Sequence, residues 1–125
     1  MSGPVEAAIR AQIPLGTRLP TPTDRATFVV HEMDASGLVL LFGPKETPTT
    51  FSWACLEGIT GFLRERGWIR IGANRDVRGD ETALDGYLKR HVKRQTANYV
   101  AVVLERAGLV ELDSEPPARV RLRQQ

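Results

Sequence analysis

The residues best suited to chemistry lie in Lys89-Arg90-His91-Val92-Lys93-Arg94-Gln95-Thr96-Ala97-Asn98, a run with four basic residues and no acid. Gln95 and Asn98 carry the side-chain amide that makes paired hydrogen bonds to adenine. Arg94 carries the fork that fits guanine N7 and O6, and Ala97 and the Thr96 methyl suit the C5 methyl of a pyrimidine. If Thr96 begins a helix, the first-turn amides of Ala97, Asn98 and Tyr99 favour a phosphate as well. Lys89, Arg90 and Lys93 would then hold further phosphates. The same residues have an ordinary alternative, in which Thr96 only caps, Asn98 is solvated and the lysines keep the protein in solution.

Two other basic sets could embrace the same duplex. Arg75 and Arg78, with Asn74, sit in a stretch without helical or strand period, beside Asp76 and Asp80. Arg119, Arg121 and Arg123 alternate on one face of a strand, but Glu111 and Asp113 alternate likewise on its predicted partner, so cross-strand pairing consumes much of that charge. Trp68 reads as a core anchor, with contact to a base methyl as its alternative, a role for which Ala97 is also a candidate.

Catalytic constellations are missing. No Asp/Glu-x-Lys pair occurs, which removes the usual core of a metal-dependent nuclease. Cys55, the one cysteine, accompanied only by His31 and His91, cannot build a zinc site of ordinary spacing or an internal disulfide. It lies in an apolar helical stripe, where a small buried hydrophobe is the better reading than a nucleophile. Gly43-Pro44-Lys45-Glu46-Thr47 lacks the Gly-Lys-Ser/Thr order of a phosphate loop and reads as a turn. No metal and no cofactor is expected, and no enzyme activity in this chain.

The elements that must position these residues follow from pattern. With 125 residues and 42% apolar content the chain has room for one domain, and its net charge of +2 by itself names no anionic partner. No apolar stretch approaches a membrane span, and the first residues lack the basic and apolar segments of a secretory signal; a cytoplasmic protein without a membrane partner is expected. Residues 1–24, with four prolines, read as an extended arm, although a short helix over 5–12 is possible. Residues 25–51 read as a β-hairpin extension: 25–33 and 38–42 are strands about an Asp34-Ala35-Ser36-Gly37 turn, followed by a short strand at 49–51. Residues 52–125 then read as helix (53–66, capped by Ser52), strand (68–71), helix opening at Thr82, helix capped by Thr96 and ending at Gly108, and a two-stranded ribbon (110–113 and 119–123). In the second helix Leu84, Tyr87, Leu88, His91 and Val92 form the stripe, which points Lys89, Arg90 and Lys93 away from the core. The fold class is α+β, a winged helix-turn-helix with an N-terminal β-hairpin extension, an architecture used both to bind DNA and to bind other proteins, so that the fold alone licenses no function.

A family resemblance adds to this. Phe28-Val29-Val30, Gly37-Leu38-Val39-Leu40, Phe51-Ser52-Trp53-Ala54-Cys55-Leu56-Glu57-Gly58-Ile59, Gly67-Trp68-Ile69-Arg70-Ile71-Gly72 and Leu84-Asp85-Gly86-Tyr87-Leu88-Lys89 resemble the N-terminal head domain of McrA-type modification-dependent HNH endonucleases, over residues 14–123. The resemblance implies a non-catalytic module for double-stranded DNA, methylated DNA included. It would read 5-methylcytosine in the major groove and deliver a nuclease domain located elsewhere in a larger endonuclease of a restriction system. The alternative is a winged helix that docks the other domains of that larger enzyme.

Overall fold

The computed structural model describes residues 3–23, 25–64, 66–72, 83–92, 96–115 and 117–123. Helix α1 (Pro4–Gln12) opens on a proline, whose missing N–H is one that a first helical residue would leave unpaired anyway. Val5 and Ile9 share one face of the helix, and with Ile13 just beyond it they are buried in the core. The start of α1 is capped from a distant element: the Glu57 carboxylate accepts the amides of Val5 and Glu6 at 3.0 and 2.8 Å. A negative group on these orphan donors also complements the helix dipole.

Strand β1 (Arg18–Pro20) pairs antiparallel with β2 (Thr27–Met33). The N-terminal residues are therefore not the extended arm that their prolines suggest. Pro4 sits at a helix start and Pro20 ends an edge strand, two places where proline costs no hydrogen bond. Beyond β2 come β3 (Gly37–Phe42) and β4 (Thr47–Ser52), so the expected hairpin is part of a four-stranded antiparallel sheet in the order β1-β2-β3-β4. The Asp34 carboxylate holds the β2–β3 turn by accepting the amides of Ser36 and Gly37 at 2.8 and 3.2 Å. Gly37 has φ +155°, and a Cβ there would lie 2.1 Å from the Phe51 carbonyl oxygen. Only glycine permits the two strands to approach so closely.

Helix α2 (Trp53–Leu63) is capped by Ser52, whose hydroxyl accepts the Cys55 amide at 3.1 Å. It buries Cys55, Leu56, Ile59 and Leu63 at helical spacing, but stops at Leu63 rather than at 66, with Arg64 already extended. After it come β5 (Ile69–Arg70), α3 (Leu84–Lys89), α4 (Ala97–Arg106), β6 (Val110–Asp113) and β7 (Arg119–Leu122). The last three strands form a second antiparallel sheet, ordered β5-β7-β6. Phe28, Leu38, Leu40 and Phe51 of the first sheet join Leu56, Ile59, Leu84, Leu88, Val100, Leu104 and Val120 in one continuous core. The architecture is α+β, and among the described residues no helix is long and apolar enough to cross a membrane.

Candidate nucleic-acid interface

Both α2 and α4 pack against the short helix α3, and five of its six residues are buried. Lys89, expected at the surface, is 3% exposed. Its Nζ lies 3.0 Å from Oδ2 of Asp85, which is fully buried one turn earlier. A helical wheel puts Lys89 opposite the Leu84–Leu88 stripe, but with neighbours on two sides that position is interior, and Asp85 supplies the compensating charge. Lys89 is thus withdrawn from the predicted phosphate contacts. Tyr87 fastens α3 to α2: its hydroxyl donates to the Cys55 carbonyl at 2.7 Å. Gly58 makes this possible, because a Cβ there would lie 2.2 Å from the Tyr87 oxygen. Arg90 and His91, beyond the end of α3, are exposed.

The opening turn of α4 is mostly covered. Thr96 is fully buried, and among the described residues its hydroxyl neither caps the helix nor finds a hydrogen-bond partner. Ala97 is also fully buried, so neither it nor the Thr96 methyl can meet a base. Tyr99 stacks on Phe42 at 4.2 Å between ring centroids and meets Phe28 edge-on at 5.3 Å, which spends its ring on the first sheet. The sequence places these residues correctly at a helix start but carries no sign that the β-sheet packs over it. Asn98 alone of the first three α4 residues keeps a half-exposed side chain without an aromatic partner. Lys93, Arg94 and Gln95, and the loop residues Arg75 and Arg78, lie outside the described residues.

The second sheet carries its charge on the outer face. Arg121 pairs with Glu111, and Arg119 with Asp113 at 2.8 Å, the cross-strand pairing expected from the alternation. The Arg119 hydrogen bond, helped by the Glu115 amide, holds the Asp113 carboxyl below its ordinary value. Exposed to water and screened by salt, such pairs add little to stability. Trp68 is 38% exposed rather than a core anchor, and the guanidinium carbons of Arg121 and Arg119 lie 4.6 and 5.7 Å from its ring centroid. Arg70 is the register partner of Arg119 on the same face. Arg70 was not singled out by sequence, although its period-two spacing from Trp68 put the two on one face of the strand expected over 68–71.

Arg70 and Asn98 meet at a cleft of about 350 Å³ between the two sheets. Pro22 and Thr23 of the β1–β2 turn, Ile71 and Gly72 after β5, and Pro117 and Ala118 before β7 complete the lining. The Ile71 backbone is already occupied, its N–H donating to Ala118 and its carbonyl accepting from Asp85, both at 2.9 Å. Away from this face Cys55 is fully buried, and burial pushes its thiol up to about 11, so at neutral pH it stays protonated. Among the described residues no three His, Cys, Asp or Glu side chains are grouped to hold a metal ion. Comparison of the chain with protein-family models, with curated proteins and with solved structures finds no match in any of the three.

Proposed function

We propose that this chain is a non-catalytic, winged-helix module that binds double-stranded DNA in the cytoplasm for a modification-dependent restriction system, reading 5-methylcytosine and serving a nuclease domain elsewhere in a larger enzyme. The observation that carries this reading is topological. From α2 onward the elements run helix, strand, helix, helix, strand, strand, with β7 between β5 and β6. That is the order in which winged helices present their last helix and ribbon to a duplex. The contacts assigned to the duplex are Arg70, Arg90 and Arg121 on phosphates and Asn98 on a base edge. Lys93 and Arg94 are assigned to it by sequence.

Binding to phosphates makes affinity depend steeply on salt, because each neutralised phosphate releases counterions. Fluorescence anisotropy with matched duplexes carrying cytosine, 5-methylcytosine or hydroxymethylcytosine, at two ionic strengths, tests both halves of the reading. A plot of log K against log salt should have a slope of about −0.9 per phosphate contact. A flat salt response removes the DNA reading, and equal affinity for the three duplexes removes the modification preference.

A second reading, a winged helix that docks other domains of a larger enzyme, is favoured by the covering of Thr96, Ala97 and Tyr99 and by the ion pairs of Arg119 and Arg121. It predicts that replacing Lys93 and Arg94 together with alanine leaves duplex affinity unchanged. The DNA reading predicts a loss and a shallower salt slope.

A further inference from the structure

The cleft between the sheets combines features that a packing defect does not need. Its lining includes Pro22 and Pro117, apolar rings whose nitrogens bring no N–H, and Ala118 and Ile71 extend the apolar wall. The adjacent backbone groups of Ile71 are consumed internally, so polar recognition inside the slot falls to side chains. Asn98 offers a donor and an acceptor in one plane, Thr23 a hydroxyl, and Arg70 a guanidinium. A wholly aliphatic occupant would leave the Asn98 amide unmatched, and a bare anion would gain nothing from the apolar walls. A flat heterocycle with a donor–acceptor edge and an attached phosphate is complementary to this combination of apolar walls, amide and guanidinium. The volume of about 350 Å³ lies at the small end of ligand pockets, enough for one such ring.

We propose that this cleft takes a single nucleobase extruded from the bound duplex, its edge read by Asn98, its ring against Pro22 and Pro117, and its phosphate beside Arg70. This inference rests on the DNA reading above but replaces base recognition within the groove by recognition outside it. A base edge at the floor of a groove cannot enter a concave cleft on the protein, so it must leave the stack, at least cost where it is mismatched. The neighbouring Arg119 and Arg121, on the same sheet face as Arg70, lie where the flanking phosphates would run.

The test uses the whole chain and duplexes with one 2-aminopurine, either matched or mismatched, whose fluorescence rises when the base unstacks. Binding should raise that fluorescence several-fold, with the mismatched duplex bound more tightly. Asn98→Ala and Thr23→Trp, the second filling the slot from an exposed turn, should abolish the rise and weaken binding of the mismatched duplex roughly tenfold to hundredfold. Circular dichroism of both variants checks that they fold. A duplex that binds with no fluorescence rise overturns the cleft proposal and leaves the DNA reading standing. If no duplex binds, the DNA reading falls and the extruded-base proposal falls with it.

Discussion

Replacing Lys89 with methionine separates the interior role of this residue from the surface role its spacing suggests. In the fold Lys89 Nζ stands 3.0 Å from Asp85 Oδ2, with the two side chains 3% and 0% exposed. Methionine keeps most of the volume and removes the charge, which strands a carboxylate where water does not reach. Breaking one side of a buried pair costs about 3–5 kcal/mol. A domain of this kind has only roughly 5–15 kcal/mol in total. At about 4 °C per kcal/mol the Tm should fall by roughly 12–20 °C. Urea unfolding followed by far-ultraviolet circular dichroism measures the change as a lower midpoint at unaltered slope. The double variant Asp85→Leu/Lys89→Met removes both charges and should recover to within about 1 kcal/mol of the parent or exceed it, because the desolvation of both ions is then avoided. If Lys89→Met alone lies within about 0.5 kcal/mol of the parent, Lys89 is solvated and the interior assignment is wrong. Weaker duplex binding at unchanged stability would instead return Lys89 to the phosphate contacts.

Gly37→Ala places a methyl 2.1 Å from the Phe51 carbonyl at a φ that side chains avoid, and should cost at least about 2 kcal/mol in thermal unfolding; a neutral result would mean the strands part readily. Glu57→Ala uncovers the amides of Val5 and Glu6, so hydrogen exchange in α1 should accelerate about fivefold or more while the α4 amides are unaffected, and uniform exchange in both helices would contradict the capping role. Burial raises Cys55 from 9.0 to about 11, and burial first, then the Cys55 charge, raises Tyr87 from 10.0 to about 12 against the opposing charge of Arg90. Each contributes stability that is complete below its ordinary value and is lost as pH rises through the raised one. Urea midpoints should therefore fall between about pH 9 and 12, less so in Tyr87→Phe, and a flat profile would refute the assignment. Native Cys55 should also react with a disulfide reagent at neutral pH only as fast as the protein opens; rapid labelling without denaturant would show the thiol to be accessible.

Local pattern carries a large share of this fold because burial of one face imposes a period on the chain. The β2–β3 hairpin about Asp34, helix α2 with its Ser52 cap, the α4 stripe and the β6–β7 ribbon all follow from spacings of two or three to four residues and from turn residues. Even the Glu111–Arg121 and Asp113–Arg119 pairs are contained in the alternation. What pattern does not contain is which second surface closes over an element. Asp85 and Lys89 are ordinary helix-surface residues until α2 and α4 enclose α3, and Tyr99 is an ordinary first-turn residue until Phe28 and Phe42 arrive from strands more than fifty residues earlier. The cap that Glu57 places on α1 and the cleft shared by Asn98, Arg70, Pro22 and Pro117 have the same origin. Hydrogen bonds and cavities between distant segments depend on relative position in space, and no period along the chain encodes that. The sequence by itself thus determined most of the elements from β2 onward and their charged faces, while only the tertiary structure decided that the first residues join the core and which of those charges remain at the surface.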